Sequence, residues 1–295
     1  MYVITGAGGR TGRAAALRLL SGGHRVRVVG RSATRLADLA ERGAEVREAD
    51  PADAAALTTA FAGADSVYAV LQPNYLPGHP AFAAFQDQLT AALADAVAAS
   101  GVRRVVGLSS WGAQHATGTG PVKGLHRFEN RLSAVPGVEA VWLRAGYFME
   151  NLLGYVESVR DHGRVSAPFR PDVPIPFICT GDVGAAVADA LTGPWQGIRE
   201  LHGERDLTMA EVMDVIAGAV DQPGLEYDQV SIAEFRDGLL RDGVAENVAE
   251  MMAEVGEAMN TGHLCTIQPR SAETTTPTSI ETFIRDEFLP LYRTP

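Results

Sequence analysis

Along the first half of the chain, short apolar runs alternate with Ala- and Leu-rich stretches of helical composition. Residues 2–5 (YVIT) read as a short buried strand, followed by a glycine-rich turn and a helix over about 11–21. HRVRVVG (24–30) alternates as a second strand, a helix covers about 33–42, and AEVREAD gives a third strand ending near Asp50. A helical stretch at 53–61 leads to a fourth strand at 66–71, and a helix over 81–100 to a fifth at 103–110. After a loop with Gly112, Gly118, Gly120 and Pro121, a helix near 123–134 precedes a sixth strand at 139–146. Strands alternating with helices of this length predict βαβ units and a parallel sheet, and apolar strands without clean alternation suit a sheet covered on both faces. The expectation is a doubly wound α/β, Rossmann-type sheet.

Beyond Gly146 the rhythm changes. Residues 160–178 are rich in Pro and Arg and read as a loop or a short irregular strand. Asp182 is placed to cap a helix running through Ala190, and RELHG (199–203) to form one more strand. Three later segments carry Ser/Thr-x-x-Glu pairs, Thr208/Glu211, Ser231/Glu234 and Thr278/Glu281, each ahead of an apolar-periodic run. The last third is therefore expected to be mainly helical. The division predicted is a dinucleotide-binding domain of 1–146 plus about 178–203, with 147–177 and 204–295 forming a smaller, mainly helical C-terminal substrate lobe over the carboxyl ends of the strands.

Composition narrows the class. The 295 residues are 46% hydrophobic and 21% charged, as in an ordinary globular chain. No apolar run approaches the roughly 18 residues of a membrane span, and the N-terminus opens on a β-like run without signal-peptide features, so a cytoplasmic protein is expected. The formal charge of −11 is concentrated late: residues 200–295 hold 6 basic and 19 acidic side chains. That excess repels a phosphate backbone, and no nucleic-acid partner is expected. Cys179 and Cys265 are far apart and read as free thiols, with a lone disulfide or a redox-sensing thiol as alternatives. No metal-ligand spacing is present, so no metal is expected.

The chemistry begins at Gly6, Gly9 and Gly12, a G-x-x-G-x-x-G run between a strand and a helix. The glycines allow a sharp turn, close backbone approach to a pyrophosphate and tight helix–strand packing, while the helix N-terminus favours the phosphate charge. Arg10 and Thr11 sit inside this turn. Where an NAD-specific site places an acid after the second strand, this chain has Gly30-Arg31-Ser32 with Arg35 one turn on. Those side chains suit a 2′-phosphate, which predicts NADP(H), although they also read as solvated helix-surface residues. Asp50 can accept from the adenine amino group or act as a turn residue. Leu71 and Gln72, with Pro73, follow the fourth strand and are placed to line the cofactor groove.

At the catalytic end, Ser109 and Ser110 close the fifth strand, facing a nicotinamide pocket or bonding nearby backbone. Lys123, the only lysine, can bond the nicotinamide ribose, and His126 can donate or relay a proton; both also read as surface or capping groups. Tyr147 and Phe148 can wall the nicotinamide or stack on an aromatic acceptor, or belong to the core.

Taken together, TGAGGRTG, the GRS…R segment, the AD at 49–50, LSSWGA (108–113), WLRAGYFMENLL (142–153), PFICTGDVGAAVADAL (176–191) and the closing TSIETFIRDEF resemble the NmrA-like branch of the atypical short-chain dehydrogenase/reductases. The resemblance spans nearly the whole chain. It implies a Rossmann domain, a small substrate lobe and NADP(H) in the cleft between them. Some members of the branch reduce quinones or other carbonyl-type acceptors, whereas others bind the cofactor as redox-sensing regulators. A substrate contact for Asn151 is implied by the resemblance alone. The chain departs from the wider superfamily at one decisive point: four residues before Lys123 stands Thr119, so the Tyr-x-x-x-Lys pair is missing. A quinone needs less help than a ketone, because its reduced anion can take a proton from water. The leading expectation is an NADPH-dependent oxidoreductase acting on a small quinone-like or carbonyl acceptor. A redox sensor with little turnover and a biosynthetic enzyme acting on a specific intermediate remain as alternatives, and a homodimer is compatible with the sequence.

Overall fold

A computed structural model describes residues 1–71 and 77–294. Six strands arrive in the predicted order, β1 (Tyr2–Ile4), β2 (Val26–Gly30), β3 (Glu45–Glu48), β4 (Ser66–Val70), β5 (Arg104–Ser110) and β6 (Glu139–Ala145). Between them run α1 (Arg10–Ser21), a 3-10 turn Ala33–Leu36 passing into α2 (Ala37–Glu41), α3 (Ala54–Phe61), α4 (Phe82–Ser100) and α5 (Val122–Ser133). Further along lie β7 (Tyr147–Phe148), a 3-10 stretch Met149–Tyr155, α6 (Val156–His162), β8 (Arg164–Ala167), β9 (Ile175–Ile178), α7 (Thr180–Thr192) and β10 (Gly197–Leu201). The chain ends with β11 (Asp206–Leu207), α8 (Met209–Val220), β12 (Glu226–Gln229), α9 (Ile232–Arg241), α10 (Glu246–Asn260), α11 (Ile280–Phe283), a π turn Ile284–Phe288 and α12 (Leu289–Arg293).

Among the described residues, seven parallel strands form one sheet in the order β10-β6-β5-β4-β1-β2-β3. The order reverses between β1 and β4, which places a crevice at their carboxyl ends. Ala15 and Leu19 of α1 pack with Val183, Val187 and Leu191 of α7 on one face. Leu57 of α3, Leu89 and Leu93 of α4, and Phe128 and Leu132 of α5 cover the other. Burial on both faces is why the strands lack polar alternation. A third apolar cluster, with Met149, Phe177, Val212, Ile216, Met259, Phe283 and Phe288, lies under the helical C-terminal region. No helix among the described residues is long and apolar enough to cross a membrane.

The structure corrects three local expectations. Residues 160–178 are more regular than their Pro/Arg content suggests: Gly163, at φ 60°, ends α6 and launches β8. The partner strands are distant, β12 for β8, and β7 and β11 for β9. Asp182 does not cap α7; its carboxylate accepts from the Thr278 amide at 2.9 Å and the Thr278 hydroxyl at 2.8 Å. That contact displaces the third capping pair by one residue, so Ser279 caps α11 by accepting from the Thr282 amide. The other two capping boxes form as predicted, at Thr208/Glu211 and Ser231/Glu234.

The β10 edge is closed by side chains rather than by another strand. Gln268 donates to the Ile198 carbonyl and accepts from the Glu200 amide, both at 2.9 Å. Buried Glu200 in turn accepts from the Ile267 and Gln268 amides, each at 2.7 Å. An otherwise open sheet edge is thereby protected from pairing with another chain.

Candidate cofactor and active site

The glycine turn forms the floor of a cleft of about 350 Å³. Gly6 leaves β1 at φ 61°, and the Gly9 amide donates to the Gly6 carbonyl at 2.8 Å. Gly12 packs the first turn of α1 directly against that backbone: a Cβ there would lie 2.6 Å from the Gly6 oxygen and 3.1 Å from the Ala7 Cα. The N-cap position of α1 is Gly9, which makes no side-chain cap bond, and the first turn holds no acid. The leading N–H groups of α1 thus face the cleft without a side-chain acceptor, the arrangement that takes a phosphate.

One end of the cleft is cationic. Gly30, Arg31, Ser32, Arg35 and Leu36 line it beyond β2, and Arg10 stands at its rim. Arg31 and Arg35 are exposed and make no side-chain ion pair among the described residues, although most arginines of the chain do. Among the described residues Arg10 reaches only Glu287, at 3.5 Å. The Thr11 hydroxyl lies 3.0 Å from the phenol of Tyr68, whose full burial pushes its ionisation far above the usual range. A smaller hollow of about 20 Å³ adjoins this end, walled by Val29, Ala49, Pro51, Leu57, Val70 and Leu93. Asp50 is not part of that wall; its exposed carboxylate accepts from the Ala52 amide at 2.8 Å and closes a turn.

The other end is bounded by Val70, Leu108, Phe148, Glu150 and Thr180, at the carboxyl ends of β4 and β5, after β6 and at the start of α7. Several expected catalytic side chains are engaged elsewhere. The Ser109 hydroxyl is buried and donates to Glu129 Oε1 at 2.5 Å, which turns it away from the cleft. Glu129 also receives Arg144 through two bonds of 2.9 and 2.7 Å. Lys123 forms an ion pair with Glu254 of α10. His126 uses both ring nitrogens, Nδ1 with the Ala113 carbonyl at 2.8 Å and Nε2 with the Asn130 amide at 2.9 Å. Tyr147 stands edge-on to Phe169 and Phe177, at 5.8 and 5.4 Å between ring centroids. Leu71 is buried in the core beneath α3 and α4, and Asn151 is exposed. Gln72 and Pro73 lie outside the described residues. Of the side chains predicted for this end, Phe148 is the one that borders the cleft.

Two neighbours were not read from the sequence. Glu150 lies in the same YFMEN stretch as Phe148, and its Oε1 and Oε2 accept from the Thr180 amide at 2.9 and 3.2 Å. The Thr180 hydroxyl donates to Oε1 as well. Nothing in a separation of 30 residues announces that contact. Cys179 is half-buried beside it, and burial first, then the carboxylates of Glu150 and Asp182, push its thiol up to about 11. Cys265 is exposed. Since the thiolate is the reactive form, titration of the native protein with a thiol reagent at pH 8 should show one fast and one slow cysteine. Cys265→Ser should remove the fast phase, and equal rates for both thiols would contradict this assignment.

A seven-stranded parallel sheet with a glycine turn, an uncapped helix N-terminus and a cationic rim at its switch point defines a Rossmann-like α/β protein. The NmrA-like family model matches residues 2–294, and the chain belongs to that family. It is 29% identical over 277 residues to a (4-alkanoyl-5-oxo-2,5-dihydrofuran-3-yl)methyl phosphate reductase of Streptomyces griseus, covering 93% of each chain. It is 26% identical over 231 residues to an NAD(P)H azoreductase of Xenophilus azovorans, covering 76% of this chain and 75% of that one. Among solved structures, an NADPH-dependent quinone oxidoreductase of Escherichia coli complexed with NADPH superposes with a TM-score of 0.76 at 23% identity, covering 90% of this chain and 91% of the other. That likeness shows a shared fold.

Proposed function

We propose that the protein is an NADP(H)-dependent reductase that passes hydride to a small, easily reduced acceptor of quinone-like or carbonyl type. The observation that carries this reading is the pairing of a glycine floor with Arg31 and Arg35, which make no ion pair among the described residues, at one end of one cleft. The reductase names of the two sequence relatives support it. In this reading Gly6, Gly9 and Gly12 and the α1 N-terminus hold the pyrophosphate, with Arg10 and Thr11 at its side. Arg31, Ser32 and Arg35 take the 2′-phosphate through charge-assisted bonds. The adenine lies at the mouth of the small hollow, edged by the Ala49–Pro51 turn that Asp50 closes. The bound nicotinamide would supply the hydride. Leu108 and Phe148 wall that end and exclude water, and residues 147–177 and 204–295 serve as the acceptor-binding part of the molecule.

The side chains near the strand ends bear on the choice of acceptor. Thr119 is fully buried, Lys123 is paired with Glu254, and Ser109 is bonded to Glu129. A ketone would need a proton donor that this constellation does not supply, whereas a quinone needs mainly orientation. Steady NADPH oxidation with a panel of quinones and azo compounds is the expected result. Tight NADPH binding without turnover on any acceptor would overturn the enzyme reading in favour of a sensor. Arg31→Ala should weaken NADP(H) binding about tenfold to a hundredfold while leaving NAD(H) nearly unchanged, as expected for one lost charge-assisted phosphate contact. Equal loss for both cofactors would contradict the assignment of Arg31 to the 2′-phosphate.

A further inference from the structure

The cleft is electrically lopsided along its length. Arg10, Arg31 and Arg35 are gathered at the turn and at the adenosine end, and Glu150 is the single carboxylate among the lining residues, at the opposite end. Direction follows from the fold: the segment after β2 meets the adenosine ribose, so the far end, after β5 and β6, receives the nicotinamide. We propose that Glu150 stabilises the oxidised, positively charged nicotinamide ring and thereby sets the bound cofactor to release hydride. The proposal rests on NADP(H) occupying this cleft.

The geometry fits a fixed charge rather than a mobile surface group. Glu150 is half-buried, and Thr180 clamps it through the backbone amide and the hydroxyl at the first residue of α7. Among the described residues Oε2 makes only the longer contact, 3.2 Å, and so keeps lone-pair capacity at the cleft-lining Glu150. A carboxylate exceeds what capping alone requires, since a neutral Ser, Thr or Asn satisfies the same N–H groups. The α7 N-terminus also favours a negative charge at this position.

Hydride, carrying two electrons and one proton, leaves C4 of the neutral dihydronicotinamide and bonds to the acceptor. The acceptor is reduced and takes its further proton from water, while the nicotinamide is oxidised and gains one positive charge. A carboxylate near the ring interacts weakly with the neutral reactant and strongly with the cation that develops as hydride departs. It therefore contributes to the transition state and product more than to the ground state. One charge pair several ångströms apart at an effective dielectric of about 20 changes an equilibrium by about tenfold or more.

The test compares the affinities of the two cofactor forms, by calorimetric titration of NADP+ and NADPH separately, and needs no acceptor. Glu150→Gln removes the charge and keeps a carbonyl oxygen for Thr180. It should weaken NADP+ binding about tenfold while NADPH affinity stays within about twofold, and kcat with a quinone should fall with little change in KM for NADPH. Glu150→Asp, which keeps the charge, should retain most of the NADP+ preference. An unchanged NADP+/NADPH affinity ratio in a folded Glu150→Gln protein would overturn the proposal, as would equal weakening of both forms, which a cap without an electrostatic role predicts. Should the glutamine variant fail to fold, Glu150→Ala is the second neutral variant, read the same way. Absence of NADPH binding to the parent protein is a different result and would bring down the proposed function itself.

Discussion

Gly12→Val should abolish NADPH binding at concentrations that saturate the parent protein, and should lower the melting temperature as well. The Cβ contacts at this position are all with backbone, 2.6 Å to the Gly6 oxygen, 2.9 Å to the Gly6 carbonyl carbon and 3.1 Å to the Ala7 Cα. None of these atoms can rotate away, so α1 must retreat from the turn. Retreat moves the N–H groups that face the cleft away from the position proposed for the pyrophosphate. Overpacking in a buried turn costs about 1–3 kcal/mol for modest insertions, and a β-branched side chain belongs at the upper end. Gly12→Ala should show the same effects in weaker form. Gly8→Ala is the control, since its Cβ would meet nothing closer than Leu36 Cδ2 at 3.9 Å. It should fold with nearly unchanged stability. Fluorescence titration with NADPH and thermal melting check all three, and full binding by Gly12→Val would refute the role of this packing contact.

Arg144→Met should lose about 3–5 kcal/mol of unfolding free energy, read by urea denaturation, because it strands a buried carboxylate. The side chains of Arg144 and Glu129 are 5% and 8% exposed and meet through two bonds, and Glu129 also accepts from Ser109. Ser109 and Arg144 are register partners in the β5–β6 ladder, so this triad ties the two strand ends to α5 near the end of the cleft proposed to take the nicotinamide. NADPH affinity should fall with stability for that reason. The double variant Arg144→Met/Glu129→Leu should recover much of the loss, since an apolar pair leaves no charge unpaired. A double variant no better than the single one would show that the ion pair contributes more than mutual neutralisation.

The α/β alternation was legible because two periodicities and their punctuation are local properties of the chain. The YVIT run, the glycine turn and the Ala/Leu-rich stretch after it each declare themselves within a dozen residues. The capping boxes at Thr208 and Ser231 were equally legible, since donor and acceptor lie three residues apart. The third was displaced because Asp182, 96 residues away, holds Thr278. The short strands β7, β8, β9, β11 and β12 have 2–4 residues each and are defined by distant partners, so local composition, including that of 160–178 around β8 and β9, carried little sign of them.

The candidate site divides along the same line. The half proposed to bind phosphate is built from one turn and one strand end, Gly6 to Gly12 and Gly30 to Arg35, whose chemistry follows from residue type and order. The other half is assembled from β5, α5, β6, the 147–155 segment and α7, and there residue type was a poor guide to role. Ser109, Lys123 and His126 could each be named as chemically capable, yet their partners, Glu129, Glu254 and the Ala113 carbonyl, come from elsewhere in the fold. Glu150 was passed over because its significance depends on meeting Thr180 across 30 residues.

By itself, then, the sequence determined the class of sheet, the glycine turn that opens it, the arginines that follow the second strand, and the lack of a Tyr-x-x-x-Lys pair. These are matters of order and side-chain type. Tertiary structure decided which hydroxyls and cations are already engaged, where the third capping box starts, and that the carboxylate at the far end of the cleft belongs to Glu150. Those outcomes depend on which distant groups can approach within about 3 Å, the range in which a hydrogen bond fixes a side chain's role.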